Sequence, residues 1–184
     1  MLKYDYFSVI STLTDKSSEA VSCACAMRAQ AQARIRQIRA ECYKTLCELE
    51  GALLAEFLPP LERASIAAYS HSLCVITDAS LIYATLSPMQ RHATSHGGFD
   101  AACLGLCELL SEGSKMLDGI KKSADAPKLL EFREKKSAAM ESLCESSAAI
   151  QGPRSPQIFS ARRELITAIS DAFDALVELI LKNI

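Results

Sequence analysis

The most concentrated chemistry in the chain lies in the middle of its first half. His71, Cys74 and Asp78 stand three and four residues apart, a spacing that on an α-helix aligns all three along one face with Cβ atoms about 5–6 Å apart. An imidazole, a thiol and a carboxylate so placed offer part of a soft-metal site, or a Cys–His pair. One helix supplies only part of a shell. Zinc takes four ligands, and a nucleophilic cysteine needs a third group that orients its base. The plainer reading is that Cys74 packs as a small hydrophobe while His71 is solvated.

Other candidates are thinner. Cys103 and Cys107 are one helical turn apart and Cys23 and Cys25 are near neighbours, but neither pair has the Cys-x-x-Cys spacing of a zinc knuckle or a redox motif, so core packing is expected of them. His92 and His96 are spaced like two ligands of a His-Glu-x-x-His zinc helix, yet the glutamate is missing and Gly97-Gly98 follows. No phosphate-binding glycine loop or nucleophile elbow occurs. No acid, base and nucleophile converge, and the chain is not expected to be an enzyme. Arg28, Arg34, Arg36, Arg39 and Lys44 make the region around the second helix locally basic, while Glu164, Asp171, Asp174 and Glu178 outweigh Lys182 near the C-terminus. Such runs are ordinarily solvated helix faces. The functional alternative is that Arg28, Arg34, Arg36 and Arg39 form a docking or anion-binding surface for lipid headgroups, acidic loops or phosphate.

These residues are carried by a chain of 184 residues, 49% hydrophobic, with 20 Lys and Arg against 22 Asp and Glu. That length suits one domain with a sizeable core. Near-neutral charge, no Trp and 6% aromatic content argue against a nucleic-acid partner. Lys3 and Asp5 precede any apolar run, unlike a signal peptide, and acids interrupt every apolar stretch long enough to span a bilayer, so a cytoplasmic protein without a transmembrane segment is expected, either free or peripheral to the membrane. The eight cysteines then read as reduced thiols.

Seven Gly and six Pro gather at a few places, and the stretches between them read as helices. Ile35, Ile38, Cys42, Leu46, Leu49, Leu53 and Phe57 recur every three or four residues until Pro59-Pro60 stops the run. Ile66, Leu73, Val75, Ile76, Ala79, Ile82 and Leu86 form a third stripe, widening toward Ser87-Pro88. Leu165, Ile169, Phe173, Leu176, Val177, Ile180 and Ile184 form the last, opened by Ser155-Pro156. Further helices are expected over residues 4–28, 100–123 and 126–151, with residues 89–98 as a linker between pseudo-repeat halves 1–88 and 99–184. The fold class is therefore all-α: a six-helix antiparallel bundle of two three-helix units in a single domain.

The segment Phe57-Leu-Pro-Pro60-Leu-Glu-Arg63-Ala-Ser-Ile66, followed by Leu73, Ile76 and Asp78, resembles the Phe-x-x-Pro-x-Asp-Arg-Glu-Asp-Ile junction of the PhoU-like family, in the branch that accompanies Pit-type inorganic phosphate permeases. The preceding long helix over residues 35–56 and the closing Leu181-Lys182-Asn183 are similar to that family as well, as are the two three-helix units. The resemblance spans nearly the whole chain, with its specific part around Pro60. It implies metal-binding carboxylates at about positions 39 and 43, where this chain has Arg39 and Tyr43, and near 74, 75 and 78, where it has Cys74, Val75 and Asp78. In the second half Ser170, Asp171 and Asp174 match the corresponding acidic cluster, and acids three residues apart on one helix suit a hard divalent cation. No cofactor is expected beyond a possible divalent metal ion.

The expected function is thus a non-enzymatic accessory or regulator of inorganic phosphate transport that acts by contact with a membrane permease. Two alternatives stand beside it: a metal-binding bundle whose site is rebuilt from His71, Cys74 and Asp78, and a structural module that forms homo-oligomers through an apolar stripe and has no link to phosphate.

Overall fold

The computed structural model of the chain describes residues 4–26, 30–56, 59, 61–86, 96–119, 131, 134–138, 141 and 155–183. Their regular secondary structure is helical, with no strand among the described residues. Helix α1 spans Tyr6–Cys25, α2 Ala31–Ala55, α3 Arg63–Leu86 and α4 His96–Lys115, which runs into a 3₁₀ turn at Met116–Gly119. Residues 134–138 are helical and are called α5. Helix α6 spans Ser155–Leu181.

Local chemistry sets the ends. Asp5 caps α1, its Oδ1 accepting from the Ser8 N–H at 3.1 Å. Glu62 caps α3 in the same way, its carboxylate accepting from Ser65 N at 2.7 Å and Ala64 N at 3.2 Å. Helix α2 ends at Ala55, where Glu56 turns extended ahead of Pro59. Arg63 reaches back to donate from its guanidinium to the Glu56 carbonyl, closing the α2 C-terminus from the first turn of α3.

The linker expected over residues 89–98 is shorter than the sequence suggested, because α4 already begins at His96. A His-Gly-Gly start is poor for a helix by propensity. Phe99 overrides it: fully buried, its ring packs on Tyr83 of α3 with centroids 5.3 Å apart, so tertiary contact fixes the first turn. Most of the helix expected over residues 126–151 lies outside the described residues, as does His92.

Helices α1, α2 and α3 pack pairwise, α4 joins α1 and α6, and the most extensive interface is α3 against α6. The stripes read from periodicity face inward. Ile35, Ile38, Cys42, Leu46, Leu49 and Leu53 of α2 are buried, as are Leu165, Ile169, Phe173, Leu176 and Ile180 of α6. Leu13, Ile38 and Leu73 belong to the same hydrophobic cluster as Leu110, Leu165 and Leu176, so residues from both halves share one core. Each fully buried aliphatic side chain contributes about 1.5–3 kcal/mol. Polar contacts also run through the core: Thr14 Oγ1 lies 3.2 Å from both the Tyr69 hydroxyl and Ser114 Oγ, linking α1, α3 and α4. No described helix is long and apolar enough to cross a membrane.

Val75 and Ile82 break the pattern. The sequence placed them in the buried stripe of α3, but they are 36% and 41% exposed. Helix α3 is covered by α1, α2 and α6, and these three neighbours leave a strip of it open.

Candidate functional site

Asp78 is the residue around which the candidate site is organised. One turn of α3 holds it at the boundary with α2, where its Oδ1 accepts from Arg39 Nε and its Oδ2 accepts from the Tyr43 hydroxyl at 2.7 Å. Arg39 and Tyr43 are one turn apart on α2, and the guanidinium also lies over the Tyr43 ring, 5.0 Å from its centroid. The hydrogen bond and charge of Asp78 push the Arg39 pKa up. Burial, then the hydrogen bond to Asp78, pushes the Tyr43 hydroxyl up to about 12. Both oxygens of the carboxylate are therefore engaged, and the group is neutralised by a cation from the neighbouring helix.

The three residues singled out by spacing do not share an environment. His71 is exposed, Cys74 is fully buried and Asp78 is turned toward α2. Burial pushes the Cys74 thiol up to about 12, which keeps it from acting as a thiolate at neutral pH. Among the described residues no group of three or more His, Cys, Asp or Glu is placed to hold a metal ion. The divalent cation implied by the resemblance does not fit here. At positions 39 and 43 the side chains are a guanidinium and a protonated phenol, and the guanidinium sits where a cation would meet Asp78.

In the second half the acids separate. Asp174 pairs with Lys136 of α5 at 3.1 Å. Asp171 instead lines an open groove of about 400 Å³ between α3 and α6, together with Asp78, Val75, Ile82, Arg163 and Glu164. The surviving acid of the first half and one of the second half thus border the same groove, and Arg163 lines it as well.

The basic region is likewise absorbed into the bundle. Arg34 pairs with Glu19 of α1 at 2.6 Å, Arg39 pairs with Asp78, and Lys16 of α1 pairs with Glu41. These are braces of α2 against its neighbours, not an open cationic cluster. Arg36 is exposed on the outer face of α2, and Arg28 lies outside the described residues. Seven cysteines are described: Cys42, Cys74, Cys103 and Cys107 are buried, Cys23 and Cys25 partly so, and Cys47 is exposed.

Sequence reasoning missed a second polar centre. Arg162 is completely buried, with its guanidinium carbon 5.0 Å from the Phe99 ring centroid. Nearby, Tyr83 donates to Asp100 Oδ1 at 2.8 Å, and burial followed by the charge of Asp100 raises the pKa of both Tyr83 and Cys25. A signal was present: Arg162 follows Ile158 by four residues and precedes Leu165 by three, so it occupies a core position of the α6 stripe. Cys103 near Arg162 and Cys25 near Asp100 are held protonated by burial, and the cluster reads as an internal polar tie between α3, α4 and α6.

No family model matches the chain, and no curated protein does.

Proposed function

We propose that the chain is a non-enzymatic accessory protein of inorganic phosphate transport, regulating a membrane permease by contact at the inner face of the membrane. The observation that carries this reading is the Arg39–Asp78–Tyr43 network. At the position where the resemblance implies metal carboxylates, these side chains satisfy one another and leave neither an open coordination site nor a nucleophile. Helix faces are then the surfaces left for function.

Arg36 stands exposed on the outer face of α2, where Lys44 lies 3.9 Å from Glu48, and it is suited to meet an anionic headgroup or an acidic loop, a basic residue near a bilayer contributing about 1 kcal/mol. Regulation follows if the bundle binds one conformation of the permease more tightly than another, since only a difference in affinity shifts such an equilibrium.

The test is twofold: purification of the chain from detergent-solubilised membranes to ask whether an inorganic phosphate permease comes with it, and phosphate uptake in cells with and without the chain. Retention of a permease together with altered uptake is the expected result. Unaltered uptake and no permease would overturn the reading.

A further inference from the structure

We propose that the cavity between the start of α1 and the end of α4 is a binding site for a neutral cyclic polyol of monosaccharide size. This proposal is independent of the phosphate reading. The cavity measures about 340 Å³, within the range of small-molecule sites. Asp5, Ser8 and Ser11 line it from the first helix, and Ser114 and Lys115 from the last turn of α4.

The charges of the lining select the ligand. Asp5 and Lys115 face the same space from different helices, and neither is drawn into an ion pair among the described residues. One oxygen of Asp5 accepts from the Ser8 N–H at 3.1 Å, which leaves the other for a ligand. An anion in the cavity would meet the carboxylate and a cation would meet the ammonium, so either is disfavoured. A neutral hydroxylated ligand suits both, since one of its hydroxyls can donate to Asp5 while another accepts from Lys115.

The serines extend the match. Ser8 and Ser11 are exposed, whereas Ser114 is the buried polar member of the lining, 7% exposed. Its Oγ lies 3.2 Å from Thr14 Oγ1, which also meets the hydroxyl of the fully buried Tyr69. A serine hydroxyl has one proton and two lone pairs. Even with both core hydroxyls as partners, Ser114 keeps one of these three for the cavity, and its contacts in the core hold it in place before a ligand arrives. Half-buried Phe7 and buried Leu117 complete the lining. They offer apolar surface to the C–H face of a ring, a contact that an inorganic ion cannot use.

Backbone amide shifts of the 15N-labelled full chain test the proposal during titration with D-glucose, D-galactose, D-mannose and myo-inositol. Each is taken to about 50 mM, a range that reaches millimolar affinity, with inorganic phosphate and 1,4-diaminobutane as charged probes. At least one polyol is expected to shift the amides of residues 5–11 and 114–117 saturably. Asp5→Asn, which can still cap α1, and Lys115→Ala should each weaken binding about fivefold or more. Ser11→Trp, at an exposed position, should abolish it by filling the cavity. Circular dichroism confirms that each variant is folded. No saturable shift from any of the polyols, or binding unchanged in all three variants, would overturn the proposal. Tighter binding of phosphate or of the diamine at the same amides would overturn it too.

Discussion

The backbone N–H of Glu62 donates to Oδ1 of Asn183 at 3.0 Å, joining two residues 121 positions apart. Lys182 lies beside the same acid, 3.9 Å from its carboxylate. The two stretches that carry the family resemblance, the junction around Pro60 and the closing Leu181-Lys182-Asn183, therefore meet in space. Asn183→Ala removes this tie while leaving the Asn183-independent cap of Glu62 on Ser65. The expected cost is about 0.5–1.5 kcal/mol, at the low end because the bond is exposed, together with faster hydrogen exchange at the Glu62 amide; unaltered exchange would show that the tie does not form in solution.

The Arg39–Asp78 pair is half exposed on the arginine side, so its net worth is modest. A double-mutant cycle with Arg39→Ala and Asp78→Ala should give a coupling of about 0.2–1 kcal/mol. Tyr43→Phe should cost about 1 kcal/mol through the lost hydrogen bond to the carboxylate. Urea denaturation measures all three, and a coupling near zero would mean that α2 is held on α3 by its apolar stripe alone.

Two glycines of α4 make opposite predictions. A Cβ at Gly105 meets nothing within 4 Å, whereas one at Gly113 comes within 2.8 Å of Leu176 Cδ2 and 3.7 Å of Phe173. Gly105→Ala should stabilise by roughly 0.5–1 kcal/mol through helix propensity. Gly113→Val should destabilise by about 1–3 kcal/mol by pushing α4 from α6. Thermal melts showing the same sign for both would contradict the α4–α6 contact.

Arg162 occupies the core against Phe99. Arg162→Ala should cost about 3–5 kcal/mol, combining a cavity with the loss of a charge from a buried polar cluster. Arg162→Met, which refills most of the volume, should cost less. If the two are equal in denaturant midpoint, the charge rather than the packing is what the site requires.

Stability should fall on the alkaline side. Burial pushes Tyr69 up to about 12 from 10.0, Cys74 up to about 12 from 9.0 and Cys42 up to about 11 from 9.0. The unfolded chain releases these protons first, so their contribution is intact below pH 9 and is lost progressively toward pH 12. For Tyr69 alone the loss is on the order of 2 kcal/mol. On the acid side, Glu41 is held low by its hydrogen bond to Lys16 and Glu62 by its bonds to Ser65. Their stabilisation is present above about pH 4.5 and disappears as pH falls through their lowered folded values. Melting temperature against pH checks both limbs. A thiol reagent at neutral pH should modify exposed Cys47 first and reach Cys42, Cys74, Cys103 and Cys107 only on unfolding.

The inward stripes of α2 and α6 were legible in the chain before any contact between helices was known. Periodicity along α2 and α6 and the prolines that punctuate it act over a few residues, and short-range signals survive in any window of the chain. Even the buried position of Arg162 was written in its phase with Ile158 and Leu165. Which neighbour each face receives follows from contacts between distant segments and was not legible in any local window. Arg39 was read as part of a basic surface, yet α3 brings Asp78 to it from 39 positions away. Val75 and Ile82 were read as core, yet the helices that cover α3 stop short of them. His71, Cys74 and Asp78 share a spacing but not a surface, because burial on a helix depends on what packs around it, and that is settled by segments far away in the chain.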